Sequence, residues 1–327
     1  MIATLAAFTL AVLTASTHSD TTFSVKPPMR LTLSNFSGSI SVRTWSRNSV
    51  RIEAEHSSHA QLRVTTQPPK MTVDVEHWRG IPSSVEYQLL VPKWMSLELS
   101  GVSTDVEVEG AQSEINAQSV SGDVSIIGGT GFVTAASVSG DVRVEGCKGK
   151  IECSSVESDV HVQSATGAVA ASSVNGEVVL DDIDSDDVEA STIGGGVTYD
   201  GTIKDGGSYK FSSNNGDVSV AMPARANATV SISTYSGEFQ SEFPVTFSGT
   251  KHRKQFTFML GNGNARVELE SFQGSIQLRR PGSPAGAGAE YKYEMKSKTH
   301  TETKKHTKED EKQKDKDGDG DPDEDHE

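Results

Sequence analysis

The octapeptide SVSGDVSI at residues 119–126 returns as SVSGDVRV at 137–144, SVESDVHV at 155–162 and SVNGEVVL at 173–180. The copies therefore recur with an 18-residue period. A second apolar position lies halfway between copies, so that β-branched residues recur every nine residues, at Val106, Ile115, Val124, Val133, Val142, Ile151, Val160, Val169 and Val178. A fixed period of this length predicts a repeat architecture in which each unit stacks on its neighbour.

Both halves of the repeat have the pattern of a short strand. In the first half Val124 and Ile126 alternate with Ser125, which is strand periodicity, and the density of β-branched residues with a Gly or Asn in every repeat disfavours a helix. Stacking at about 4.8 Å would place identical residues in ladders. The sequence therefore predicts an all-β fold, a single-stranded parallel β-helix or β-solenoid with 18-residue, two-strand coils over residues 101–280.

The period loosens toward the end of this region. Val188 and Val197 continue it with one residue inserted, and SNNGDVSV at 213–220 and STYSGEFQ at 233–240 resemble further coils. SFQGSIQL at 271–278 is expected to be the last rung. Other repeat folds fit less well: a hexapeptide helix needs aliphatic residues every six positions, a calcium-binding roll needs an Asp where Val133 stands, and pectinase-like helices have longer coils.

The segments before the repeat suggest export and a cap. An apolar run from Ile2 to Leu13, followed by small residues, predicts a signal peptide over 1–19, with cleavage after Ser16; a buried terminal strand or helix is the alternative. Residues 22–100 are strand-rich without the 18-residue period, and we expect them to cap the open end of the solenoid. Trp45, Trp78 and Trp94 are expected in the core of this cap.

Residues 281–327 change in character. PGSPAGAGA at 281–289 is a linker composition; residues 291–308 carry six Lys, and residues 309–327 carry eleven acidic residues against three Lys. This tail is expected to be disordered. Within it, alternating carboxylates flank a glycine, as in a calcium loop, but Pro322 and the missing closing Glu weaken the pattern. The only metal candidates, for weak Ca²⁺ binding, are Asp315, Asp317, Asp319, Asp321 and Asp323.

Charge and composition restrict the function classes. The net charge is −15, from 45 Asp and Glu against 30 Lys and Arg, which disfavours nucleic acid and anionic membrane surfaces as partners. Hydrophobic residues make up 34% of the chain and aromatic residues 6%, so the core must be thin. No stretch is long and apolar enough to predict a transmembrane helix. The oligomeric state is not encoded in any recognisable pattern.

Three groups of residues are candidate sites. Asp105, Asp123, Asp141, Asp159 and Glu177 form a ladder of equivalent carboxylates; turn chemistry is favoured over catalysis, because a hydrolase needs carboxyl groups in unlike environments. His56 and His59 are expected at the surface, since no third metal ligand accompanies them. Cys147 and Cys153 are expected to be small buried residues, with a disulfide as the alternative. No catalytic residue and no cofactor site is predicted.

Two segments outside the regular repeat are distinctive: NFSGSISVRTWSRNSVRIEAE at 35–55 and YQLLVPKWMSLEL at 87–99. Through these segments and the repeated SxSGDVxV motif, the chain resembles the bacterial DUF4097, or "putative adhesin", domain family from about residue 30 to residue 278. It implies an extracytoplasmic right-handed β-solenoid, linked to adhesion or envelope stress, with no defined catalytic residues. The charged tail is outside this pattern.

Two functions remain open on this basis. The first is a non-catalytic envelope scaffold or adhesin that presents a regular polar face to an envelope protein or a glycan, in the periplasm, on the surface or secreted. The second is a polysaccharide-active lyase or hydrolase on a β-helix. An active site would need a break in the repeat, and the irregular region 181–215, with DDIDSDD at 181–187, is the only candidate place for one.

Overall fold

The computed structural model describes residues 16–57, 60–77, 84–223, 225–242, 244–245, 248–252, 255–283 and 291–293. All of them fall in the first of two units, Met1–Met295; the second, Lys296–Glu327, lies outside the described residues, as do Trp78 and His59. Every regular element in the described part of the chain is a β-strand.

The strands of the N-terminal part and the regular coils are β1 (Ser16–Ser24), β2 (Arg30–Trp45), β3 (Ser49–Ser57), β4 (Ala60–Gln67), β5 (Lys70–His77), β6 (Val85–Pro92), β7 (Ser96–Ala111), β8 (Ile115–Gln118), β9 (Val124–Gly128), β10 (Thr130–Ala136), β11 (Val142–Glu145), β12 (Lys148–Ser154), β13 (Val160–Gln163), β14 (Val169–Ser172) and β15 (Val178–Ile183). The remaining strands are β16 (Asp187–Thr192), β17 (Val197–Gly201), β18 (Ser208–Ser213), β19 (Val218–Ala221), β20 (Ala228–Thr234), β21 (Phe239–Ser241), β22 (Ser248–His252), β23 (Gln255–Leu260), β24 (Ala265–Ser271), β25 (Ile276–Arg279) and β26 (Tyr291–Tyr293).

The predicted parallel pairing is confirmed. Val142 of β11 lies between Val124 and Val160, one 18-residue period away on either side, and Ile151 of β12 lies between Val133 and Val169 in the same way. Alternate strands therefore build two layers, because each coil contributes one strand to each. Layer A contains β9, β11, β13 and β15, and layer B contains β8, β10, β12 and β14.

The core is the narrow space between the two layers. Val142, Val144 and Ile151 are almost completely buried, whereas Arg143 between them points outward and is exposed. On the layer B side, Cys153 occupies the same column as Ala135 and Ala171. Each buried Val contributes about 1.5–3 kcal/mol relative to exposure. The alternation of buried and outward residues is the strand period that the sequence predicted.

The N-terminal region is more than a separate cap. Strand β2 pairs in parallel with β7 at an offset of 66 residues, from Arg30 opposite Ser96 to Arg43 opposite Glu109, so it forms a rung of the ladder itself. Beyond β2, β5 and β6 pair with it in parallel, and the antiparallel strands β4, β3 and β1 close this end. Trp94 is partly buried against the core, as expected for the cap.

The C-terminal order differs from the sequence order. Residues 271–278 were expected to be the last rung, but that expectation is wrong: β24 lies between β18 and β20, and β25 lies between β19 and β21. The coil at 228–241 is therefore farther out than the coil at 265–279. Antiparallel β23 and β26 cover its two strands, which leaves no parallel edge for a further coil at this end of the described chain.

The insertions in the repeat widen the core. Counted along the sequence, the separation between stacked residues is longer from Val178 to Val197 than in the regular coils, and it is longer again from Val197 to Val218. The pairing is irregular between Leu180 and Ile183. Aromatic residues replace the small ones here: the rings of Tyr199 and Phe211 lie 4.8 Å apart and both are fully buried.

Candidate functional site

The carboxylate ladder that the sequence singled out has a structural role. The Oδ1 atom of Asp105 accepts a hydrogen bond of 3.0 Å from the backbone N–H of Asp123, and Asp123 accepts one of 2.8 Å from Asp141. Asp159 does the same for Glu177, at 2.7 Å. Three of the five carboxylates thus satisfy a backbone donor of the next coil, which is the turn chemistry expected for Asp at this position.

The irregular region 181–215 is held together by side-chain contacts. Asp184 forms an ion pair of 2.7 Å with Lys204, and the hydrogen bond from this ammonium lowers the pKa of the carboxyl. Asp182 accepts a hydrogen bond from Ser164 of the previous coil. The buried Tyr209 hydroxyl donates to the Ser185 carbonyl at 2.7 Å. These contacts fasten the inserted residues to the solenoid.

His56 is not at the surface, so that expectation is wrong. Its side chain is 5% exposed, and its ring nitrogens lie 2.9 Å from the Ser19 hydroxyl and 2.9 Å from the Ser57 carbonyl. The pairing of β1 with β3 brings Ser19 over the ring, and this long-range contact could not be read from the EHSSH pattern.

Both cysteines are free and buried. Burial raises the pKa of the Cys147 thiol to about 12, and its sulfur lies 2.8 Å from the Gly128 carbonyl. Burial also raises the pKa of Cys153. Neither is a reactive thiol, because the thiolate is the nucleophile.

The calcium candidates Asp315, Asp317, Asp319, Asp321 and Asp323 lie outside the described residues. Within the described residues, no cluster of His, Cys, Asp and Glu has the arrangement of a metal site. The described part of the chain contains no helix with the length and hydropathy of a membrane span.

The surface feature that the sequence reading missed is an apolar ridge. It runs along the edge where each coil passes from layer B to layer A, and its side chains are between 37% exposed at Val174 and 63% exposed at Tyr235. In spatial order the ridge consists of Phe36, Val102, Val120, Val138, Val156, Val174, Ile193, Phe272 and Tyr235. Successive coils are one strand spacing apart, about 4.8 Å. The ridge therefore extends over most of the solenoid's length.

The ridge lies on a turn that a buried hydroxyl holds in place. The Ser137 hydroxyl accepts a hydrogen bond from the Gly140 N–H and donates one to the Gly122 carbonyl of the preceding coil. Seven further hydroxyls make the equivalent bond to the preceding coil in the ladder, from Ser119, Ser155, Ser173, Thr192, Ser213, Ser271 and Thr234. Because every such turn is tied to its neighbour, the exposed residues are held in a straight row.

Close packing of the turns explains their glycines. A Cβ atom on Gly140 would lie 2.1 Å from the Gly122 carbonyl oxygen, and one on Gly176 would lie 2.1 Å from the Ser158 oxygen. The signal for the ridge was present in the sequence, as the apolar second residue of each SVSGDV copy. Its exposure could not be inferred, since the Val two positions after the Gly in the same motif is fully buried.

One rung of the ridge is polar. Asn214 stands between Ile193 and Phe272, and beside it lies a shallow groove of about 470 Å³. Ser212, Ser233 and Glu270 contribute its polar wall. The Phe272 ring stacks on Tyr235, with centroids 4.8 Å apart and planes 5° from parallel. We refer to this feature as the Asn214 groove.

Among the solved structures that match most of the chain at low identity are three bacterial proteins. One is a "putative cell adhesion protein" from Clostridium sporogenes, with 9% identity over 81% of this chain and 100% of that chain and a TM-score of 0.22. The second is a "putative adhesin" from Bacteroides fragilis, with 13% identity over 81% of this chain and 98% of that chain and a TM-score of 0.42. The third is a "putative adhesin" from Parabacteroides distasonis, with 10% identity over 80% of this chain and 97% of that chain and a TM-score of 0.26. No curated protein matches the sequence.

The family comparison covers most of the chain. The model described as Toastrack DUF4097 matches residues 20–279, from within β1 to the end of β25, and so takes in both the capping strands and all the coils. The chain therefore belongs to the Toastrack DUF4097 family.

Proposed function

We propose that this protein is a non-catalytic scaffold or adhesin of the cell envelope, exported and then released from its leader, whose right-handed solenoid presents the apolar ridge to an extended partner. The observation that carries the proposal is the ridge itself. Apolar residues that are scattered singly need no explanation, but a contiguous exposed row marks an interaction surface. Half-exposed Phe and Tyr side chains alone add on the order of 300 Å² of such surface.

The surroundings of the ridge indicate the partner's general character. Layer B borders it with small hydroxyl side chains such as Ser154 and Ser172, and layer A borders it with the carboxylate ladder. A partner with apolar groups and hydrogen-bonding groups at regular intervals fits this surface, whereas a polyanion is repelled by it. The regular spacing favours a polymer or an extended chain over a compact ligand.

The absence of an enzymatic role is part of the proposal. Among the carboxylates considered for catalysis, Asp123 and Asp159 accept backbone hydrogen bonds and Asp184 pairs with Lys204, so these three groups have structural partners. The export part of the proposal rests on the apolar run from Ile2 to Leu13, which has the length of a signal-peptide core. A fusion of residues 1–19 to alkaline phosphatase should be active only if this segment directs export.

Site-specific photo-crosslinking in the producing cell tests the ridge. A benzophenone amino acid at Val138 should give a discrete adduct after irradiation. The same group at Gln163, which is exposed on layer A away from the ridge, is the matched control and should give none. Adducts that are the same at both positions, or absent at Val138, would contradict the proposal.

A further inference from the structure

The polar rung of the ridge has a defined place between two unlike neighbours. Backbone hydrogen bonds run from Asn215 to the Ile193 carbonyl and from Gln273 to the Asn214 carbonyl, each 2.9 Å long. Asn214 is thus flanked by an aliphatic side chain on one side and by the ring of Phe272 on the other. The sequence offers no sign of this neighbourhood, because Phe272 lies far from Asn214 along the chain.

Phe272 is stacked on one side only. Its centroid lies 4.8 Å from that of Tyr235, and the two planes are almost parallel, so Tyr235 covers one face of Phe272 and this contact leaves the other face free. The backbone pairing places Phe272 in the rung next to Asn214, and both residues line the same groove.

The Asn214 side chain leaves space beside this face. Its Nδ2 atom donates a hydrogen bond of 3.3 Å to the Oδ1 atom of Asn215, so the amide pairs within its own turn. The resulting groove has a volume of about 470 Å³, within the range of small-ligand sites. Phe272 remains 49% exposed at its margin.

We infer that the Asn214 groove binds one ring of a neutral carbohydrate chain. This inference rests on the proposed function and names the class of its partner. A sugar ring has an apolar C–H face that can lie on Phe272, and hydroxyls that can pair with Ser212, Ser233 and Glu270. None of the residues lining the groove is cationic, and Glu270 would repel an anionic ligand. An aromatic peptide side chain could stack equally well, but it would leave most of this polar wall unpaired.

Four variants of the full chain test the site. Phe272→Ala removes the stacking face, and Phe36→Ala removes an equally exposed ridge aromatic at the other end as a matched control. Asn214→Val introduces the residue found at positions 120, 138, 156 and 174, and because Val is branched at Cβ we expect a methyl group to occupy the space next to Phe272. Asn214→Ala keeps the space open.

Each variant is titrated with maltotetraose, cellotetraose and tetra-N-acetylchitotetraose up to about 10 mM, observed by saturation-transfer NMR and calorimetry. We expect saturable binding of at least one tetrasaccharide to the unmodified chain, to Phe36→Ala and to Asn214→Ala. Phe272→Ala and Asn214→Val should bind at least about tenfold more weakly, with melting temperatures unchanged.

Three results would overturn the inference. Saturation by none of the tetrasaccharides would refute the ligand class, and binding that is unaffected by Asn214→Val would refute the place. Tighter binding of a Trp-containing tripeptide than of any sugar would show that the groove accepts protein side chains instead. The crosslinking at Val138 is an independent readout: if it fails while the groove still binds sugar, the ridge proposal is wrong and the groove assignment stands.

Discussion

Removal of one buried hydroxyl should have a large effect on the stability of the solenoid. In Ser137→Ala the Gly140 N–H, 3.0 Å from the Ser137 oxygen, and the Gly122 carbonyl, 2.8 Å from it, both lose their side-chain partner. Ser137 is 5% exposed, so water does not readily replace the hydroxyl. Leaving a buried donor or acceptor unpaired costs about 1–3 kcal/mol, and with two such groups we expect a loss of about 3 kcal/mol.

Thermal unfolding followed by circular dichroism measures this loss. For a domain of this size a loss of about 3 kcal/mol corresponds to a fall in Tm of about 6–12 °C. Ser137→Thr keeps a hydroxyl where Thr192 and Thr234 already serve the same role, and should unfold close to the unmodified chain. Ser139→Ala removes only an exposed hydrogen bond to Glu157. If Ser137→Ala unfolds at the same temperature as Ser139→Ala, the turn does not depend on the hydroxyl.

Three further predictions concern the core, a thiol and the tail. Val142→Asp should unfold the domain or destabilise it by more than about 4 kcal/mol, because it places an unpaired charge in the core. Arg143→Asp, on the outer face, should change the free energy of unfolding little. Equal midpoints of urea unfolding for the two variants would contradict this assignment. Burial raises the pKa of Cys147 to about 12, so iodoacetamide at about pH 8 should not alkylate it until urea unfolds the chain. Mass spectrometry measures the alkylation, and rapid labelling of the native protein would refute the burial of this thiol. A peptide of residues 309–327 should show no saturable Ca²⁺ binding tighter than about millimolar in calorimetry, and a micromolar titration with one ion per peptide would contradict this.

The regular part of the fold could be read from the sequence because it is local and periodic. An 18-residue repeat with Val at both strands dictates which residues stack, and the structure places Val124, Val142 and Val160 in one column as predicted. The inward and outward assignment followed from strand alternation. The expectation that both cysteines are small buried residues is also confirmed, and both are free.

The candidate site was harder to predict, because the sequence reading treated the solenoid as a polar surface. Val120 and Val124 belong to the same octapeptide and have the same chemistry, yet the first is 45% exposed and the second is fully buried. The difference comes from the turn, which points the first residue away from both layers. Hydrophobicity alone could not distinguish them.

What the sequence determined by itself is the repeat: parallel 18-residue coils, a thin core of small and β-branched residues, and an acidic surface. What only the tertiary structure decided is the pairing across long gaps. The offsets of 66 residues between β2 and β7 and of 58 residues between β18 and β24 have no period in the chain, so they depend on which strand edge the returning segment can reach. The physical reason is that backbone pairing is the same for any two strands, and only side-chain packing across the layers selects the partner. That selection places Phe272 beside Asn214 and so creates the groove.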